Sequence, residues 1–147
     1  MTEQRISFML NSLVREMNGQ ADALLRAKYS ITYSQFVFLQ VLSESGQLDV
    51  TRLAQALGVT KAAVSKRIEW FAVRALARVD QDPKNAKRVL VTLTAQGADL
   101  SKKSGDYLER RFLNAVAAAP GVDFAALGDT LATLTAHMEN NKQGEKS

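Results

Sequence analysis

From Ile6 onward, apolar residues recur at three- and four-residue intervals: Ile6, Met9, Leu10, Leu13, Val14, Met17, Ala21, Leu24 and Leu25. That spacing follows the 3.6-residue turn and predicts an amphipathic helix to about Lys28. Thr32-Tyr33-Ser34-Gln35 has the composition of a capping box, with a hydroxyl at its start and a glutamine three residues on. A second helix is therefore expected from Tyr33 to about Ser43, burying Phe36, Leu39 and either Val41 or Leu42. Gly46 marks a turn, and Leu48 has room only for a very short strand.

Asp49 stands where an N-cap is needed for a third helix, Val50 to Leu57, with Val50, Leu53, Ala54 and Leu57 inward. Gly58 ends it, because a residue without Cβ enters the left-handed region at little cost. Thr60 then caps a fourth helix, Lys61 to about Arg74, with Val64, Ile68 and Phe71 on its buried side. Two helices joined by a short Gly-containing turn make a helix-turn-helix.

Short β-like runs follow at Arg78 to Gln81 and Val89 to Leu93. Between them, Asp82-Pro83-Lys84-Asn85-Ala86-Lys87-Arg88 combines turn formers with three positive charges, which predicts a hairpin with a basic tip. Thr94 can cap a long helix to about Ala119 carrying Leu100, Tyr107, Leu108, Phe112 and Val116, and Pro120-Gly121 breaks it. A last helix, Asp123 to about Asn140, aligns Phe124, Leu127, Leu131, Leu134 and Met138 on one stripe. The polar tail 141–147 is expected to be flexible. The pattern as a whole is mainly α with a small β-hairpin wing.

Charge sharpens this picture. Of 19 basic and 15 acidic residues, nine basic and four acidic ones lie between Gln47 and Thr94, so that segment is strongly positive and the remainder close to neutral. A basic middle with near-neutral flanks points to a polyanionic partner for the middle. The sequence has no cysteine, which removes thiolate nucleophiles, disulfides and cysteine-ligated zinc. No apolar run approaches the roughly 18 residues of a membrane span, and the N-terminus has no small-residue cleavage pattern. A cytoplasmic protein without membrane attachment is expected.

The second helix of a helix-turn-helix is narrow enough to enter a major groove about 12 Å wide, where its N-terminal residues meet base edges. Here those residues are Thr60, Lys61, Ala62, Ala63, Ser65, Lys66 and Arg67. Small Ala62 and Ala63 permit close approach and contact with thymine methyls. Ser65 and Lys66 offer hydrogen bonds, while Lys61, Lys66 and Arg67 supply charge.

Leu53-Ala54, Leu57-Gly58-Val59, Val64-Ser65-Lys66, Arg74-Ala75-Leu76 and Val91-Thr92-Leu93-Thr94-Ala95-Gln96-Gly97 together resemble the core of the MarR family, over roughly residues 31–100. The resemblance implies a winged helix in one MarR-like domain, with a DNA-binding lobe at 31–100 and dimerisation helices at 1–30 and 101–140. It further implies a two-fold homodimer on a pseudo-palindromic operator in double-stranded DNA. The helix from Thr60 would read the major groove, and the hairpin tip, with Lys84, Lys87 and Arg88, would meet the minor groove or phosphates. Two positions depart from the family. Where members usually carry Asp-x-Arg in the wing, this chain has Asn85-Ala86-Lys87, which keeps the charge but loses the planar fork. Either Arg88 takes over that role or the wing binds DNA more weakly than is usual in the family. Ala75 stands where Gly is common, so the junction of helix and strand need not be left-handed.

Family members often bind a small phenolic or amphipathic acid between the DNA-binding lobe and the dimerisation helices. The resemblance extends that expectation to Arg15, Tyr33 and Trp70, with Phe8 and Met9 as further lining residues, although aromatic and Met residues at helical spacing commonly serve as core. An enzyme is not expected. The single histidine, His137, has no Cys beside it, and the eight glycines are scattered rather than gathered into a phosphate loop. No cofactor or metal is implied. The reading is a sequence-specific transcription regulator, more consistent with a repressor, and its rival is a winged-helix module that binds another protein.

Overall fold

The computed structural model describes residues 5–144. The chain divides into two compact units, 1–111 and 112–147. In the first, α1 (Ile6–Tyr29) and α2 (Tyr33–Ser45) precede β1 (Gln47–Asp49), α3 (Val50–Leu57) and α4 (Lys61–Val73). A hairpin of β2 (Ala77–Asp82) and β3 (Asn85–Leu93) leads into α5 (Ala95–Val116), within which the unit boundary falls. The second unit contains the end of α5 and α6 (Phe124–Gly144). Mainly α with a small β-hairpin wing is thus the observed class. The helix extends to Gly144 where a flexible tail from residue 141 was expected, and residues 145–147 lie outside the described residues.

Local chemistry accounts for the element boundaries. The Thr32 hydroxyl accepts from Gln35 N–H at 3.1 Å and Gln35 Oε1 accepts from Thr32 N–H at 2.8 Å, a complete capping box. Asp49 and Thr60 cap α3 and α4 by accepting from Arg52 N–H and Ala63 N–H. Gly58 closes α3 at φ 66°. The junction after α4 departs from expectation, because Ala75 is left-handed at φ 57° although it is not Gly. Leu76 N–H donates to Phe71 O and Ala75 N–H to Ala72 O. This Schellman closure satisfies orphan carbonyls and holds alanine in a conformation that is intrinsically unfavourable for it.

The core lies between α2, α3, α4 and the sheet. Phe38 and Phe71 are fully buried and stacked, centroids 4.1 Å apart, with Leu39, Leu42, Leu53, Val64, Ile68 and Val91 around them. On α2, Phe38 takes the fully buried place expected for Phe36, which is half-buried. On α5 the buried positions within the unit are the small residues Gly97, Ser101 and Ser104, rather than the large apolar residues that the sequence suggested. Gln40 explains this, since its Nε2 donates to Ser101 Oγ at 2.8 Å and to Ser101 O at 3.0 Å, a polar tie between α2 and α5. Asp22 on α1 accepts from Tyr33 N–H at 2.8 Å and Arg26 Nε at 2.6 Å, fixing the start of α2.

Candidate nucleic-acid interface

Helix α4 separates its residues cleanly. Val64, Ile68 and Phe71 face the core, while Lys61, Ala62, Ser65, Lys66 and Glu69 are exposed. Ala63 and Arg67 are half-buried on the flank, and the Thr60 hydroxyl is engaged as the cap. Glu69 was not among the expected site residues. It lies four residues beyond Ser65 and so shares its face, a placement that helical periodicity contained.

The three-stranded sheet has order β1-β3-β2, all antiparallel. The hairpin is tighter than expected, because Asp82 pairs with Asn85 and only Pro83 and Lys84 form the turn. Two side chains set this geometry. Asp82 Oδ1 accepts from Lys84 N–H at 2.9 Å, and Asn85 Oδ1 accepts from Lys87 N–H at 3.1 Å. The register then slips between Gln81 and Asp82, since Gln81 pairs with Val89. Ala86, Lys87 and Arg88 form the excess on β3.

Lys84 and Lys87 are exposed and enter no ion pair among the described residues. Arg88, expected at the tip as a DNA contact, lies on β3 with its side chain 40% exposed and its guanidinium paired with carboxylates on both neighbouring strands. Its Nε and Nη2 lie 2.9 and 2.8 Å from Asp49 Oδ2, and its Nη1 lies 3.3 Å from Asp82 Oδ2. Both carboxylates are largely covered. The Asp49 carboxyl is held below the usual carboxylate range, first by the Arg52 N–H and further by Arg88, against the opposing effect of burial. An open cleft of about 260 Å³ adjoins this cluster, lined by Asp49, Val50, Thr51, Lys87, Arg88 and Val89.

The residues expected around an effector have separate surroundings. Trp70 is half-buried, with Phe71 against it edge-on at 4.9 Å and the Arg74 guanidinium 3.8 Å from its ring centre. Tyr33 lies beside Phe36 at the start of α2, and Arg15 is exposed on α1. Among the described residues, no group of three or more His, Asp or Glu could hold a metal ion, and no helix is long and apolar enough to cross a membrane.

No protein-family model matches the sequence. Over 104 residues the chain is 29% identical to the organic hydroperoxide resistance transcriptional regulator of Bacillus subtilis strain 168, covering 71% of this chain and 70% of that protein. The crystal structure of apo wild-type MarR from E. coli superposes with a TM-score of 0.83 at 16% identity, covering 91% of this chain and 98% of that one. NadR, solved in complex with 4-hydroxyphenylacetate, superposes with a TM-score of 0.70 at 22% identity over 91% and 94% of the two chains. The helix-turn-helix, the basic hairpin and these likenesses agree, and the chain is a winged helix-turn-helix protein with the MarR-family fold.

Proposed function

We propose that this chain is a sequence-specific DNA-binding transcription regulator that works as a homodimeric repressor on a pseudo-palindromic operator. The observation that carries the reading is the exposed N-terminal half of α4, with Lys61, Ala62, Ser65 and Lys66, in the same unit as a wing whose Lys84 and Lys87 are free of ion pairs among the described residues. In this reading Ser65 and Lys66 meet base edges, Lys61 and the backbone beside Thr60 meet phosphate, and Ala62 and Ala63 allow close approach to thymine methyls. Lys84 and Lys87 meet phosphate or the minor groove, and Arg67 adds charge at the flank.

The homodimer is supported by apolar surface that each unit leaves uncovered. Ile6, Phe8, Met9, Leu10, Leu13 and Val14 on α1 are 41–75% exposed. In the second unit, Leu127, Leu131, Leu134 and Met138 form a helical stripe that is 38–67% exposed. Apolar residues exposed in contiguous helical stripes mark interaction surfaces, and a second copy would cover them. Two recognition helices would then address half-sites about 10 base pairs apart.

The bound 4-hydroxyphenylacetate of NadR supports a small phenolic or amphipathic acid as effector. Selection of binding sites from random duplexes, followed by affinity measured across a salt series, tests the reading. A symmetric selected site with affinity falling steeply in salt supports it. Salt-insensitive binding with no sequence preference would refute it and leave the protein-binding module.

A further inference from the structure

Arg88 occupies the middle strand of the sheet and reaches both neighbours. Asp49 on β1 and Asp82 on β2 flank it, and one guanidinium engages a carboxylate on each side at 2.8–3.3 Å. The side chain of Arg88 is 40% exposed, while those of Asp49 and Asp82 are only 14% and 12% exposed. Each carboxylate also has a backbone duty, Asp49 capping α3 through Arg52 N–H and Asp82 closing the hairpin turn through Lys84 N–H. A single side chain therefore joins the first turn of α3, the base of the wing and its tightest turn.

From this geometry we infer that Arg88 is a positioning residue: it clasps the wing to the helix-turn-helix and so aims Lys84 and Lys87, and it does not itself touch DNA. The inference rests on the DNA-binding reading above. Strand alternation places Arg88 on the face of Leu90, which pairs with Asp49, so its side chain can cross to Asp49 while the irregularity at Ala86 and Lys87 brings it beside Asp82. The wing uses Arg88 across the sheet and leaves the outward positions to the exposed Lys84 and Lys87.

Charge and position predict opposite signs, which makes the inference testable. The double variant Asp49→Ser, Asp82→Asn keeps both backbone hydrogen bonds, since serine caps helices and the asparagine oxygen still accepts. It removes two negative charges near DNA and releases Arg88. If Arg88 contacts DNA, or if net charge alone matters, the variant binds the selected operator more tightly. If Arg88 positions the wing, the variant binds about tenfold more weakly, because the wing must now be ordered on binding. Arg88→Met, which keeps bulk, should show a similar loss, and the triple variant should be no worse than Arg88→Met. Amide hydrogen exchange of free protein adds a readout without DNA, with residues 84–88 exchanging faster in the double variant and in Arg88→Met. Parental or tighter operator binding by the double variant, or unchanged exchange at 84–88, would overturn the inference. Failure of the parent to bind any duplex would instead strike the DNA-binding reading, and the exchange experiment would still decide whether Arg88 holds the wing.

Discussion

Gly97→Ala should destabilise the winged-helix unit strongly, whereas the same exchange at Gly19 should stabilise the protein. A Cβ on Gly97 would lie 1.9 Å from the carbonyl oxygen of Leu76, 2.9 Å from its carbon and 3.3 Å from Leu93 Cδ2. Carbon and carbonyl oxygen rarely approach closer than about 3.3 Å, so backbone must move by roughly 1.4 Å. What moves is heavily committed. Leu76 O accepts from Thr94 N–H at 3.1 Å, and Thr94 Oγ1 donates to Ala75 O at 2.6 Å while accepting from Gly97 N–H at 3.0 Å. Overpacking costs about 1–3 kcal/mol, and loosening one or two of these bonds adds about 1 kcal/mol each. The better helix propensity of alanine returns about 0.8 kcal/mol. The net is a loss of roughly 3 kcal/mol, or about 12 °C in Tm at about 4 °C per kcal/mol for a chain of this size. Around Gly19 in α1 nothing lies within 4 Å of the added Cβ, so only the propensity term remains, a gain of about 3 °C. Thermal melts followed by circular dichroism at one fixed protein concentration measure both, since association shifts Tm by mass action. An unchanged Tm for Gly97→Ala would refute the close approach of α5 to the strand junction.

Lys66→Ala should leave Tm nearly unchanged yet weaken operator binding by about 1–3 kcal/mol. Ile68→Ala, at a position 7% exposed, should cost about 2–5 kcal/mol of stability, and paired melts and titrations separate the two. Ala75→Gly should raise stability by about 1 kcal/mol through relief of the left-handed φ, and a lower Tm would contradict that backbone assignment. Lys87→Ala should lower affinity across many sequences and make the slope of log K against log salt shallower by about 0.9 if it neutralises one phosphate. The Asp22 carboxyl is held below its ordinary range by the Tyr33 N–H and then by Arg26. Its contribution is complete above the unfolded value and lost as pH falls through the depressed folded one, so Asp22→Asn should flatten the decline of Tm below about pH 4.

Much of the architecture was legible because it rests on local chemistry. The capping box at Thr32 and Gln35, the caps at Asp49 and Thr60, and the stop at Gly58 act within three or four residues. The inward trio Val64, Ile68 and Phe71 follows from helical period alone, and so does the exposure of Ser65 and Lys66. What the sequence could not determine depends on partners distant along the chain. Ala75 takes a left-handed conformation because Phe71 and Ala72 carbonyls need donors and Thr94 ties its carbonyl down, which outweighs the preference of one residue. Ser101 is buried because Gln40, 61 positions away, supplies a hydrogen bond. Arg88 reads as one more positive charge in a basic loop until the hairpin bulges and β1 pairs with β3. Only then do Asp49 and Asp82 stand on either side of it, and an ion pair spanning 39 residues leaves no local trace for periodicity or composition to register.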